Sequence, residues 1–407
     1  SFDFDLQIPA AAGTTRLLTV GQSAIERISL YTRSGVYLVD VPNTGIYTRA
    51  VTAYVTRHDD LQSAEKTQMS STEAGAEATS KGFSNCASRT LTTDAVADGR
   101  CARRIVESGV PGVAAAADAD CAYTESQYFT QGVLGAAGYM KFSVPLSEIH
   151  HTLFSVDKDL YFNQALVLRV SFAGTNKFGA SSASAVDPGL APVFKNLGAV
   201  LVKNIRLNLA IETNRDIADG VRSMVMSTGL SQVTPYVYTY LFTNSSPQTQ
   251  VSQQQRFNSG HGASLLNIYT CTANSETTGL LSADIANTAG SSKIESYQAS
   301  IDNNLLSEFR PLCRQNEDYT MQRYLMEDSC IQNCDVFRHN RVQINSWRSG
   351  KCVDWKASDT VLDGLDLSSE RIYNIDKTLV SGSYRHWIFA VCQRRLNIAP
   401  SGDITMM

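Results

Sequence analysis

YMKFSVPLSEIHHTLFSVDKDLYFNQALVLRVSF, residues 139–172, carries two signals that point in different directions. Glu148, His150, His151, Asp157 and Asp159 crowd two imidazoles and three carboxylates into twelve residues, a density that suits a metal or a shared proton. Leu166, Leu168, Val170 and Phe172 alternate with Val167, Arg169 and Ser171, the period of two of a half-buried strand. Which signal governs decides between an enzyme and a building block.

The spacing argues against a metal. Adjacent histidines point to opposite faces of a strand. On a helix they lie about 100° apart and do not address one ligand position. Glu148 and His151, at i and i+3, could share a helical face, but that supplies two ligands at most. Asp157-Lys158-Asp159 reads as a charged turn whose carboxylates accept backbone N–H bonds, since nothing beside it supplies a substrate groove. The stretch therefore reads as strand, short helical turn, strand.

The rest of the chain favours strands as well. It has 407 residues, 43% hydrophobic and only 18% charged, enough for two domains or one large β protein. The formal net charge of −4 carries no global call for nucleic acid. ERISLYT (26–32), GVYLVDV (35–41) and, after the turn Pro42-Asn43-Thr44-Gly45, IYTRAVTAYVTR (46–57) read as strands. NIRLNLAIE (204–212), PYVYTYLF (235–242) and YRHWIFAVC (384–392) read the same way. KIESYQASIDNNLL (293–306) reads as strand, turn and strand start, and SSERIYNI (368–375) as one helical turn. No long amphipathic helix is expected.

Polar, small-residue stretches at 59–82, 111–122 and 243–263 read as surface loops. Residues 175–194, TNKFGASSASAVDPGLAPVF, are the best linker. The expected division is 1–180, then the linker 175–194, then 195–407, and each half of about 200 residues suits one eight-stranded jelly roll with inserted loops.

Other candidate chemistry is thin. Nine cysteines (Cys86, Cys101, Cys121, Cys271, Cys313, Cys330, Cys334, Cys352 and Cys392) leave at least one unpaired if pairing is internal. Cys330 and Cys334, with His339 and Cys352 downstream, match no zinc spacing. Ser259-Gly260-His261 sits in a polar loop without a strand-to-helix turn, so it is no nucleophile elbow. RSGKCVDW (348–355) resembles the SGKCLD segment of ricin-type trefoil lectins, but occurs once where that family repeats it. Arg394-Arg395 reads as a rim salt bridge rather than a nucleic-acid contact. No catalytic, cofactor-binding or metal residue is therefore assigned and no cofactor is expected. SFDFDLQIP carries no basic or long apolar run, so neither a signal peptide nor a transmembrane segment is expected, and the numbering is expected to begin after trimming or a disordered stretch.

Within 139–172, Pro145, Leu146, Leu153, Phe154, Asp157, Lys158, Leu160, Tyr161, Leu166, Leu168, Val170 and Phe172 follow a strand-turn-strand, VYLVDVPNTGIYTRAVTAYV (36–55), and a long loop. This order resembles the first barrel of double jelly-roll major capsid proteins of DNA viruses, the lineage of virophages, polintons and adenovirus hexon. SYQASIDNNLLSE and the C-terminal RRLNIAPSGDITMM, with its Gly-containing turn and short strand, resemble parts of the second barrel. The resemblance implies an all-β chain of two jelly-roll barrels in tandem, with long loops and a few short helices. It implies a homotrimer of pseudo-hexameric outline that tiles an icosahedral virion shell in the infected host cell. Partners would be neighbouring capsomers and penton or minor capsid proteins, with weak or no direct nucleic-acid binding. The loops at 59–82, 111–122 and 243–263 would supply trimer contacts or the outer surface. The alternatives are a single jelly-roll capsid protein with a projecting domain, and a carbohydrate-binding or hydrolytic β-sandwich. If His150 or His151 lies at a subunit contact, assembly should weaken as pH falls through about 6–6.5.

Overall fold

In the computed structural model the described residues are 1–7, 14–17, 25–55, 139–156, 160–162, 164–173, 179–182, 201–244, 246–274, 294–306, 344–348 and 364–407. The expected loops at 59–82 and 111–122 lie outside them, as do residues 349–363 of the RSGKCVDW region.

The first part of the chain gives β1 (Phe2–Gln7), β2 (Thr14–Leu17), β3 (Ile25–Thr32), β4 (Tyr37–Pro42), α1 (Thr44–Val55), β5 (Tyr139–Val144), β6 (Leu166–Phe172), β7 (Gly179–Ser182) and β8 (Leu201–Leu207). Strands β4-β3-β6 form one sheet, β5-β1-β8 a second, and β2-β7 a ribbon. Phe4 of β1 meets Phe172 of β6 edge-on, ring centroids 5.0 Å apart, so the two sheets face each other. The alternation of Leu166, Leu168, Val170 and Phe172 is borne out, for all four pack on the core while Val167 and Arg169 are exposed. β8 takes its place by pairing with β1, with Phe2 opposite Leu207 and Leu6 opposite Val202.

The second part gives α2 (Arg215–Thr228), β9 (Leu230–Thr243), β10 (Gln248–Phe257), β11 (Ser264–Asn274), β12 (Ile294–Ile301), β13 (Asn304–Leu305), β14 (Ile344–Arg348), β15 (Leu365–Asp366), β16 (Arg371–Gly382), β17 (Tyr384–Ile398) and β18 (Ile404–Met406). Strands β10-β16-β12-β13 form one sheet. The other is built on β17, which pairs with β9 along Arg385–Ile398, with β11 along most of its opposite edge, and with β18 at its end. The hairpin expected in SYQASIDNNLL is present: Asp302 and Asn303 take positive φ values of 51° and 65° between β12 and β13, the backbone a tight hairpin requires. The Gly-containing turn before a short C-terminal strand is also present, closed by Ala399 N–H to Asp403 O at 2.8 Å.

The sheet carrying β17 is buried on both faces. Tyr384, Ile388, Ala390 and Cys392 face the β10-β16-β12-β13 sheet and fill one core with Phe257, Tyr373 and Ile375. Trp387, Phe389 and Val391 face the other way and share a second core with Ile28, Val41, Tyr47, Val51 and Leu153 of the first part. A strand buried twice reads as a continuous apolar run rather than an alternating one, as YRHWIFAVC does. Each large side chain so buried contributes on the order of 1.5–3 kcal/mol.

Three sequence readings are corrected. IYTRAVTAYVTR is not a strand: α1 runs from Thr44 to Val55 and buries Ile46, Tyr47, Ala50 and Val51, spaced at i, i+4 and i+1, i+5. Its Thr and Val content suits a strand, but burial of one helical face outweighs a propensity difference of a few tenths of a kcal/mol per residue. Asn43, at φ 56°, ends β4 and its carbonyl accepts from Ile46 and Tyr47, so the turn at 42–45 opens a helix. Residues 243–263 are not a loop: β10 turns Val251, Gln253, Gln255 and Phe257 inward with the period of a strand, and glutamines at inward positions hid it. SSERIYNI is not a helical turn, because β16 starts at Arg371 and alternates Tyr373, Ile375, Lys377 and Leu379 inward. The expectation of no amphipathic helix also fails at α2. Its signals are local: the Asn214 side chain accepts from Asp216 N–H at the start, and Gly229 stands beyond the end at φ 75°.

Candidate functional site

The segment between β5 and β6 lies where the first part meets the β17 sheet. Two 3₁₀ turns, Leu146–Glu148 and Leu153–Ser155, carry it. Thr152 closes the second: its N–H binds Ser155 Oγ at 3.2 Å, while Ser155 Oγ donates to Thr152 O at 2.8 Å. Between the turns His151 adopts φ 56°, a left-handed conformation, and its ring centroid stands 6.4 Å from that of His150. The short helical turn expected here is therefore present, in two pieces.

The two residues make different contacts. His151 is buried; its Nε2 lies 2.9 Å from Tyr269 Oη on β11, with the rings stacked at 5.8 Å. Asn267 Nδ2 donates to the same phenol oxygen at 3.0 Å, which leaves the phenol proton for His151 Nε2 and suits a neutral imidazole. His150 gives its carbonyl to Tyr47 Oη of α1 at 2.8 Å, and Tyr47 packs edge-on against Phe389 at 5.2 Å. Burial lowers the His150 pKa to about 4; burial, and then the neighbouring His150, lowers that of His151 to about 3. Tyr47 is pushed upward by burial and by Tyr269. His151 is therefore an internal contact between the two parts of one chain rather than an exposed group, and the subunit-contact role considered for it from sequence is withdrawn. Residues 157–159 and the Glu148 side chain lie outside the described residues. Among the described residues no three His, Cys, Asp or Glu side chains converge as metal ligands would.

The core between the two sheets of the second part holds a polar chain that sequence reasoning missed. Lys377 Nζ on β16 donates to Thr272 Oγ1 on β11 at 3.0 Å, and Thr272 Oγ1 lies 3.0 Å from His386 Nδ1 on β17. All three residues are buried. Burial, aided by the Lys377 charge, lowers the His386 pKa to about 2. The signal was present in the sequence, since Lys377 occupies an inward position of the alternation in RIYNIDKTLV.

The remaining candidates serve the fold. His261 hydrogen-bonds Asn258 through Nδ1 at 3.1 Å and packs edge-on against Tyr238 and Phe257, so Ser259–His261 caps a turn. Arg394 stands 5.0 Å over the Tyr236 ring and donates to Met406 O at 2.5 Å, and Arg395 donates to Ser231 Oγ at 3.1 Å. Among the described residues neither arginine forms an ion pair. Cys271 and Cys392 are free buried thiols, Cys392 with its pKa pushed up to about 12 by burial. Cys330, Cys334, His339 and Cys352 lie outside the described residues. No described helix is long and apolar enough to cross a membrane.

No family model matches the chain, and no curated protein matches it in sequence. Solved structures do match in fold. A chain of the Sputnik virophage, from a 3.5 Å cryo-EM structure, aligns with a TM-score of 0.50 and 12% identity over 100% of this chain and 81% of its own length. A chain of the PBCV-1 virus capsid aligns at 0.48 with 9% identity, over 100% and 88%. The mavirus major capsid protein aligns at 0.45 with 8% identity, over 100% and 82%. The likeness to the Sputnik chain is one of fold, and the fold class is the double jelly roll; the described residues are mostly β-strand with few helices.

Proposed function

We propose that this chain is a structural subunit of a viral shell, a major capsid protein that works by self-assembly and resides in the virion. The observation that carries the reading is the fold shared with the Sputnik virophage chain along the whole of this chain. The doubly buried β17 sheet supports it, because one core joining both parts gives the rigid block that a tile requires. In this reading the two jelly rolls divide at the linker 175–194, into 1–180 and 195–407, with β8 carried back to pair with β1.

The finer assembly follows from the same reading. Three copies form a trimer of pseudo-hexameric outline, trimers meet neighbouring capsomers, and penton or minor capsid proteins fill special positions. Contacts of that kind close by symmetry and bury thousands of Å² in obligate assemblies, typically about 2,000–5,000 Å². Activity lies in assembly and not in catalysis. The test is the purified chain imaged by negative stain with its mass measured by light scattering. Hexagon-outlined trimers are expected, and monomers under all conditions of salt and pH would sink the reading.

A further inference from the structure

The exposed apolar side chains are not scattered. They concentrate where the chain leaves β8 and enters α2. Leu207 is 42% exposed, Leu209 65% and Ile211 77%, alternating with Asn208 and Ala210. Asn208 Nδ2 is engaged by Asp3 at 2.6 Å, on the polar side of this run. In α2, Ile217, Val221 and Met224 follow at i, i+4 and i+7, one helical stripe, and all three are exposed; Val225 alone is buried. The strand expected over 204–212 ends at Leu207, and Leu207, Leu209, Ile211 and the α2 stripe are apolar side chains that the described residues leave exposed.

Size and charge narrow what could cover it. Summed, six large side chains at about half exposure expose apolar area on the scale of the largest apolar patch of a typical monomer, about 300–600 Å². With a polar margin that approaches the roughly 800 Å² per partner of a standard protein interface. The charges of α2 are balanced, Arg215 and Arg222 against Asp216 and Asp219. A helix that lies on anionic lipid, or a surface that binds nucleic acid, carries a basic excess instead. Met224 adds an adaptable side chain suited to a protein surface.

We propose that this face, the 207–211 tail with the Ile217/Val221/Met224 stripe, docks on a second copy of the same chain. The proposal rests on the capsid-subunit reading, in which every copy presents the same face and a ring closes by rotation. The test uses the full chain with Ile217→Asp, Val221→Asp and Met224→Asp combined. All three side chains are exposed, so circular dichroism should match the parent and show that the variant still folds. Light scattering should show the parent at trimer mass and the variant at one third of it. A variant that keeps the trimer mass overturns this interface and leaves the capsid reading standing; a parent that never assembles overturns both. A second measurement places a photo-reactive benzoylphenylalanine at Met224. Adducts joining two chains support the proposal. Adducts confined to one chain mean that the chain's own segments cover the face, and overturn it. Co-sedimentation of the parent, but not the variant, with neutral phosphatidylcholine vesicles assigns the face to lipid and also overturns it.

Discussion

His151 Nε2 and Tyr269 Oη, 118 residues apart in sequence, meet at 2.9 Å in the core that joins the two parts of the chain. Asn267 completes the contact at 3.0 Å. Replacing Tyr269 with Phe keeps the ring stack and removes both hydrogen bonds. A loss of about 1–3 kcal/mol is expected, because the buried imidazole and amide lose a partner. Urea unfolding measures it; a loss below about 0.5 kcal/mol would show that the contact does not stabilise the junction.

Acid should loosen the fold through the same histidines. His150 and His151 have folded pKa values of about 4 and about 3, below the ordinary 6.5. The unfolded chain therefore binds protons first as pH falls. Their stabilising contribution is complete above about pH 6.5 and declines toward pH 3–4, by about 1.4 kcal/mol per pH unit for each residue. Unfolding free energies measured between pH 7 and pH 4 should show this slope, and His150→Gln with His151→Gln should flatten it. An unchanged slope in the double variant would discard the assignment.

The Lys377–Thr272–His386 chain ties the two sheets of the second sandwich together. Lys377→Ala should cost about 2–4 kcal/mol, from lost packing and from a hydroxyl stripped of its donor. It should also raise the His386 pKa, which the Lys377 charge now helps to depress. NMR titration of His386 in the variant reads this directly, and an unmoved value would contradict the coupling.

Two glycines should respond with opposite signs. Gly262 has φ 137°, and a Cβ there would run into the Gln393 backbone carbonyl, so Gly262→Ala should cost more than about 2 kcal/mol. Gly220 lies inside α2 with nothing near its Cβ position, and Gly220→Ala should gain about 1 kcal/mol. Melting temperatures of the two variants should move apart, and equal shifts would refute the argument.

Local chemistry determined what the sequence could give by itself. LVLRVSF showed its buried face because strand period and burial agreed. ASIDNNL showed its hairpin because Asp and Asn tolerate the left-handed turn, and SGD showed the C-terminal turn. Asn214 and Gly229 are local signals for the ends of α2, where no helix was expected. Tertiary structure decided the rest. TGIYTRAVTAYV is a helix that buries one face in a core to which distant residues contribute, Phe389 among them, more than 300 residues from Tyr47 and packed against its ring. Glutamines and a lysine sit inward on β10 and β16 because the opposing sheet, not their neighbours in sequence, defines the inside. His150 and His151 stay neighbours, ring centroids 6.4 Å apart, and burial that their own sequence does not reveal depresses the pKa of both. Backbone preference reaches a few residues, whereas burial and hydrogen-bond partners depend on segments that only folding brings together.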